Sequence, residues 1–268
     1  MADTEHRMTA ENVTSADRYR APALDKGLDI LEVLAKQARG LTRAEIVKEL
    51  GLSPSQIYRM LERLVVRGYV TRLDGGDRYA LTMKLFLLAT GHPPVRRLIA
   101  QAQPLMDDFS RELRQSCHLV VPEHACGIIV AQASPVDHWE FRARVGAQLD
   151  LFSTGSGMTL LAFQQPDRVV DTLGNWGVAD ASERIAQRQP ELAQVRDLGY
   201  RVGPSAQAVG VTDLSAPIFG PNGDAIAALT CAYIEHPDDT RADLRDATLA
   251  RLLRLAQELS LHLSYAQR

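Results

Sequence analysis

The chain has 268 residues, 46% of them apolar, and a formal net charge of −3. These values fit an ordinary globular protein long enough for two domains, and no apolar run reaches bilayer-crossing length. The acidic balance argues against nucleic acid as a whole-chain property, yet residues 1–90 carry a slight excess of Lys and Arg, which permits a DNA-facing surface. Residues Met1–Arg7 contain no apolar stretch resembling a secretory signal, and Cys117, Cys126 and Cys231 form neither a CxxC pair nor a metal-ligand spacing. A cytoplasmic protein without disulfides, metal or cofactor is expected.

Residues 1–20 are polar and aperiodic, and are expected to form an arm. Apolar residues at Leu24, Leu28, Leu31, Leu34 and Ala35 then follow three-and-four spacing and predict an amphipathic helix ending near Gly40. Thr42-Arg43-Ala44-Glu45 reads as a capping box opening a short helix to Leu50, which Gly51 breaks. Ser53-Pro54-Ser55-Gln56 is a second capping box with proline at the first helical position. The helix it opens keeps Ile57, Met60, Leu61, Leu64 and Val65 on one face and should stop at Gly68. A short helix, a glycine turn and a strongly capped second helix form a helix-turn-helix.

The opposite face of that second helix carries Ser55, Gln56, Tyr58, Arg59, Glu62 and Arg63. Its N-terminal part is the portion that enters the major groove of double-stranded operator DNA in this motif. Gln56 and Arg59 are the candidates for reading bases, because their forked polar heads match adenine and guanine edges. Thr42, Arg43, Ser53, Tyr58 and Arg63 suit phosphate contacts. Tyr69–Leu73 and Arg78–Leu81 read as strands around a glycine-rich turn, so a wing follows, with Arg72 and Arg78 flanking its tip. The DNA-binding domain is placed at 21–83 and a linker at 84–98, with a short apolar helix at 81–89 and a break at Gly91-His92-Pro93-Pro94.

From 99 to 268 a larger domain is expected. A helix over 95–115 precedes strands at 117–121, 127–133 and 139–145. Helices follow near 156–164, 166–173 and 189–198, then strands at 214–219 and 225–234 and a closing helix from Thr240 to about Ser264. Strands mixed with segregated helices predict an α+β fold with an antiparallel sheet. The turn Ser153-Thr154-Gly155-Ser156-Gly157-Met158 opens a helix whose free amides and positive dipole end suit a carboxylate. Trp139, Phe141, Phe152 and Met158 are candidate apolar walls of a pocket, and Arg144, alternating with the aromatics, a polar contact.

Several runs resemble the IclR family of regulators: Ala23–Leu31, Gly40–Ile46, Gly51–Leu61, Arg67–Val70, Arg144–Leu149, Ser153–Gly157, Leu198–Tyr200 and Ser215–Phe219. The likeness spans residues 21–265 in order. It implies a bacterial regulator that dimerises, often as a dimer of dimers, and whose GAF-like C-terminal domain binds a small effector. It also implies that the Gly155-Ser156-Gly157 turn lines the effector pocket, together with Gly203, Asp213, Thr230 and Ala232. A carboxylate at Asp213 disfavours a small dianion, so a hydroxylated, sugar or aromatic acid is the expected effector class. Two alternatives stay open at this level: a second domain that only assembles dimers, and a thiol-redox protein using the cysteines and neighbouring histidines.

Overall fold

The computed structural model describes residues 21–73, 75–135, 141–235 and 243–265. Trp139 lies outside the described residues. The chain divides into two compact units, residues 1–92 and 93–268.

In the first unit α1 (Pro22–Ala35), α2 (Arg43–Leu50) and α3 (Pro54–Val66) pack around Ile30, Leu34, Ile46, Ile57 and Leu61, all buried. Both glycine stops behave as expected: Gly51 closes α2 at φ 63° and Gly68 follows α3 at φ 71°. A small sheet in the order β1 (Leu41–Thr42), β3 (Arg78–Leu81), β2 (Val70–Arg72) forms the wing. The two-residue β1 is too short to carry a period in the sequence, and only its pairing with Arg78 and Tyr79 defines it. Gly40 has to be glycine. Its φ is 65°, and an added Cβ would stand 2.5 Å from the Tyr79 carbonyl oxygen. The unit ends with α4 (Lys84–Thr90), none of whose side chains is buried, leaving Phe86 and Leu87 exposed.

The second unit is built on a six-stranded antiparallel sheet, ordered β6 (Gln148–Asp150), β5 (Cys126–Ala133), β4 (Cys117–Glu123), β9 (Ala225–Tyr233), β8 (Thr212–Phe219), β7 (Arg201–Pro204). Helices α5 (Pro93–Leu113) and α9 (Leu244–Tyr265) cover one face, burying Met106, Phe109, Leu252, Leu255 and Leu259 against Leu119, Leu214 and Leu229. The stripe Leu252, Ala256, Leu259 and Leu263 is therefore core. Helices α6 (Gly155–Ala162), α7 (Pro166–Asn175) and α8 (Ala181–Leu198) pack on the other face around Val120, Ile129, Leu161 and Leu192. A sheet covered on both faces explains the near-continuous apolar runs of β4, β8 and β9.

Two expectations need correction, and one strand was not expected. Phe141–Val145 is not a strand; the third strand of that hairpin is Gln148–Asp150. Gly146, at φ 84°, turns the backbone, and pairing with β5 begins only there, where Ile129 N–H donates to the Ala147 carbonyl at 3.0 Å. Helix α8 starts at Ala181, well before 189, because its first turns are polar on nearly every side and show no apolar stripe. Strand β7, four residues with alternating half-exposed positions, is not announced by its sequence.

Candidate DNA interface and effector site

Two capping boxes set the geometry of the helix-turn-helix. Thr42 N–H donates to Glu45 Oε2 at 2.7 Å while Glu45 N–H donates to Thr42 Oγ1 at 3.2 Å. At α3, Ser53 N–H donates to Gln56 Oε1 at 3.3 Å. The Gln56 carbonyl therefore belongs partly to the cap, and reading adenine with both of its polar atoms requires that contact to be shared or released. Ser53, Ser55, Gln56, Tyr58, Arg59 and Arg63 are all exposed on one side of α3, opposite buried Ile57 and Leu61. Arg43 lies over the Tyr58 ring, 5.5 Å from its centroid, joining α2 to the exposed face of α3.

The wing arginines are tied to the scaffold. Arg72 pairs with Glu62 of α3 and lies over the Tyr79 ring. Arg78 donates to the Gly40 carbonyl at 2.8 Å and to Glu45 Oε1 at 3.3 Å, bracing the wing against the α1–α2 turn and the α2 cap. Arg78→Met is expected to destabilise the first unit by about 1–2 kcal/mol, read as a lower urea midpoint by circular dichroism. An unchanged midpoint would leave Arg78 without this bracing role. Arg59 and Arg63 make no ion pair among the described residues, so their charge is not spent within the fold.

In the second unit the polar residues of the sheet share one face. Register places His118, Thr230, Ser215 and Arg201 in a row across β4, β9, β8 and β7, with Ala232, Asp213 and Gly203 in the neighbouring row. Parity explains the separation. Leu119, Leu214 and Leu229 point to α5 and α9, while the residues between them point to α6. The start of α6 lies over this row. Ser156 Oγ is hydrogen bonded to Thr230 Oγ1 at 2.8 Å and approaches His118 Nε2 at 3.4 Å, and Ser215 Oγ reaches Thr230 Oγ1 at 2.8 Å. His118, Ser156, Asp213, Ser215 and Thr230 are all buried. A methyl group on Gly155 would stand 2.8 Å from Asp213 Oδ2 and 3.1 Å from a guanidinium nitrogen of Arg201.

Burial holds the His118 imidazole neutral, lowering its pKa to about 4. Burial also raises the pKa of the Asp213 carboxyl, against the opposing pull of the Ser205 hydroxyl, the Arg201 charge and the Gly155 amide. The thiols of Cys117 and Cys231 are buried on the opposite face, and burial pushes both pKa values up, which suits packing and not thiolate chemistry.

Of the residues expected at the effector site, Gly155, Ser156, Gly203, Asp213, Thr230 and Ala232 come together here. Gly157 packs against the Leu151 backbone and serves the fold. Phe152 and Met158 are buried in the apolar cluster between α6 and its neighbouring helices, with Arg184 over the Phe152 ring at 3.9 Å. Phe141, half-buried, and Arg144, exposed, sit in the turn before β6, at the sheet edge opposite β7. His118, Ser215 and Arg201 join the site without having been expected there. Their signal was polar residues of a single parity within strands otherwise apolar on both faces. An open depression of about 690 Å³ beside Asp171, Asn175 and Glu183 lies along α7 and α8, away from this cluster, and offers no comparable set of buried polar groups.

Residues 23–74 match the profile described as the IclR helix-turn-helix domain, and residues 95–261 match that of the bacterial transcriptional regulator IclR C-terminal domain. The chain belongs to the IclR family. IclR-family proteins are DNA-binding transcription regulators, and the curated proteins similar to this one are regulators, not enzymes. It is 27% identical over 212 residues to the HTH-type transcriptional regulator KdgR of Escherichia coli, covering 78% of this chain and 80% of that one. It is also 27% identical over 250 residues to XynR of the same organism, covering 91% and 96%. Among solved structures, an IclR homologue from Microbacterium hydrocarbonoxydans, complexed with 4-hydroxybenzoate, superposes with a TM-score of 0.69 at 23% identity, covering 90% of this chain and 98% of that one. The Thermotoga maritima IclR superposes with 0.67 at 23% identity and the same coverage. Both likenesses concern the fold. Among the described residues of this IclR-family chain, no helix is long and apolar enough to cross a membrane.

Proposed function

We propose that this IclR-family regulator binds an operator sequence specifically and that a small organic acid, bound at the polar row beneath α6, controls its operator affinity. One observation carries the effector half. Five polar side chains are buried together at the start of a helix, on a sheet face that is otherwise apolar, an arrangement costly for stability alone. Hydroxylated, sugar and aromatic acids are the effector classes proposed, because a second charge next to Asp213 disfavours small dianions. The protein acts in the cytoplasm as a dimer or dimer of dimers. The exposed apolar side chains of α4, Phe86 and Leu87 among them, are the surface that association would cover.

Control works by population shift. Two DNA-binding units in a dimer must match half-sites separated by about one helical turn or a multiple of it. An effector that favours one arrangement changes how often that match is available. The test is binding to DNA from the promoter region beside its own gene, at several salt concentrations, with and without candidate acids. Specific, salt-sensitive binding altered by one compound is the expected result. Specific binding that no compound alters would favour a second unit that only assembles the dimer.

Arg59 is proposed as a base reader. Arg59→Ala should weaken operator binding by roughly 1–3 kcal/mol and relax sequence preference at one position. Equal weakening on all sequences, with a shallower salt dependence, would make it a phosphate contact instead.

A further inference from the structure

Among the described residues, two buried side-chain atoms lack a hydrogen-bond partner: Gln101 Oε1 on α5 and one terminal guanidinium nitrogen of Arg201. The Arg201 nitrogen lies in the effector cluster. Arg201 begins β7 opposite Ser215, and its guanidinium lies alongside Gly203, where an added Cβ would meet it at 3.3 Å. The same unpartnered nitrogen and Asp213 Oδ2 converge on Gly155, 3.1 and 2.8 Å from the place where its Cβ would be. Asp213, only 6% exposed, is the anion already held at the start of α6, beside the Gly155 amide and the Ser205 hydroxyl.

A ligand carboxylate that sought the same amide would meet a like charge. Two complementary needs remain at this spot: Arg201 has a buried donor without an acceptor, and Asp213 is a pure acceptor whose oxygens can take a further donor. Both groups lie close to one small region, and a ligand with its anion and its donor on adjacent carbons is short enough to bridge them. An ammonium as the donor would stand against the Arg201 charge and would need several acceptors. The nearby hydroxyls of Ser156, Ser215 and Thr230 are already bonded among themselves. A hydroxyl needs one acceptor.

We propose that Arg201 and Asp213 form a two-point clamp that makes the effector site selective for 2-hydroxycarboxylates. The ligand carboxylate accepts from the unpartnered Arg201 nitrogen, and the 2-hydroxyl donates to Asp213. This rests on reading the cluster as the effector site. Because the Gly155 backbone packs onto Asp213 with no room for a methyl group, a bridging ligand must lift the first turn of α6 from β8. Occupancy is thereby tied to movement of that helix.

The test is calorimetric titration of the full-length protein with matched acids differing only in the 2-hydroxyl: lactate and propionate, mandelate and phenylacetate, gluconate and 2-deoxygluconate. Alanine and 4-hydroxybenzoate complete the set. In at least one pair the hydroxy acid should bind roughly ten- to a hundredfold tighter, since the analogue brings a carboxylate beside Asp213 without the hydroxyl that donates to it. Asp213→Ala should bring that pair toward equal affinity, and Arg201→Met should weaken both members alike. If either variant fails to fold, the ratios measured on the unsubstituted protein decide alone. Equal binding within every pair, tighter binding of alanine than lactate, or a ratio that survives Asp213→Ala would overturn the clamp. Should none of these acids bind while another compound alters operator binding, the clamp fails and the effector reading stands. Should no compound alter operator binding, both fall.

Discussion

Replacing Gly157 by alanine will destabilise the second unit by roughly 4 kcal/mol or more. The new Cβ would stand 2.5 Å from Leu151 Cα and 2.6 Å from the carbonyl oxygens of Asp150 and Leu151. All three are backbone atoms, so no side chain can swing aside to relieve the clash. The turn they belong to is braced as well. Asp150 Oδ1 accepts from Phe152 N–H at 2.9 Å and from the Ser153 hydroxyl at 2.8 Å, and Thr154 Oγ1 donates to the Asp150 carbonyl at 2.7 Å. Thr154 Oγ1 also accepts from Gly157 N–H at 3.2 Å, capping α6 where it passes over the polar row. Both tryptophans, Trp139 and Trp176, belong to residues 93–268, so tryptophan emission in a urea titration reports this unit. Gly174, within α7 and with open space around it, is the control; Gly174→Ala should be stabilising by up to about 1 kcal/mol. A Gly157→Ala protein unfolding at the unsubstituted midpoint would contradict the packing of α6 on the Asp150–Leu151 turn.

The second large effect is a dependence on pH set by His118. Buried between β4 and α6, its imidazole has a pKa of about 4 in the folded protein, against 6.5 for an unperturbed histidine. Between those values the unfolded chain binds a proton that the folded chain refuses. Stability from this group is therefore complete above about pH 6.5 and is lost as pH falls toward 4, by about 3 kcal/mol in all. Carboxylates titrate over part of the same range, so the measurement is a difference. Urea midpoints of the unsubstituted protein and of His118→Gln are compared from pH 7.5 to 4.5. The histidine protein should lose stability more steeply with acid, and parallel slopes would mean that His118 is not held neutral and buried. Acid conditions should also disturb the Ser156–His118 contact at 3.4 Å, since a charged ring there would lack a counter-ion.

The two halves of the molecule were legible to different degrees. In the first unit nearly every boundary could be read from the sequence, because the deciding interactions join residues three or four apart. Thr42 with Glu45, Ser53 with Gln56, and the left-handed Gly51 and Gly68 are local devices. The exposed face of α3 follows from the periodicity of Ile57 and Leu61. The bracing of the wing was not legible. Arg78 reaches Gly40 and Glu45 across more than thirty positions, so its role as a brace depends on how the wing folds back.

In the second unit the antiparallel sheet, its hairpins and the glycine-rich start of α6 were determined by the sequence, through apolar strand runs and turn residues. The alternation of aromatic and arginine residues near Phe141 imitates a strand, but the backbone pairs with β5 only from Gly146, at its positive φ, onward. The composition of the candidate effector site was decided by tertiary structure. His118, Thr230, Ser215 and Arg201 become neighbours only through the register of four strands, two of which are separated by more than a hundred residues. A cap or a turn is specified by a few consecutive side chains, so it can be read locally. A row across a sheet is specified by strand order and register. These are set by packing α5 and α9 on one face and α6 on the other, and no single stretch of this chain contains that information.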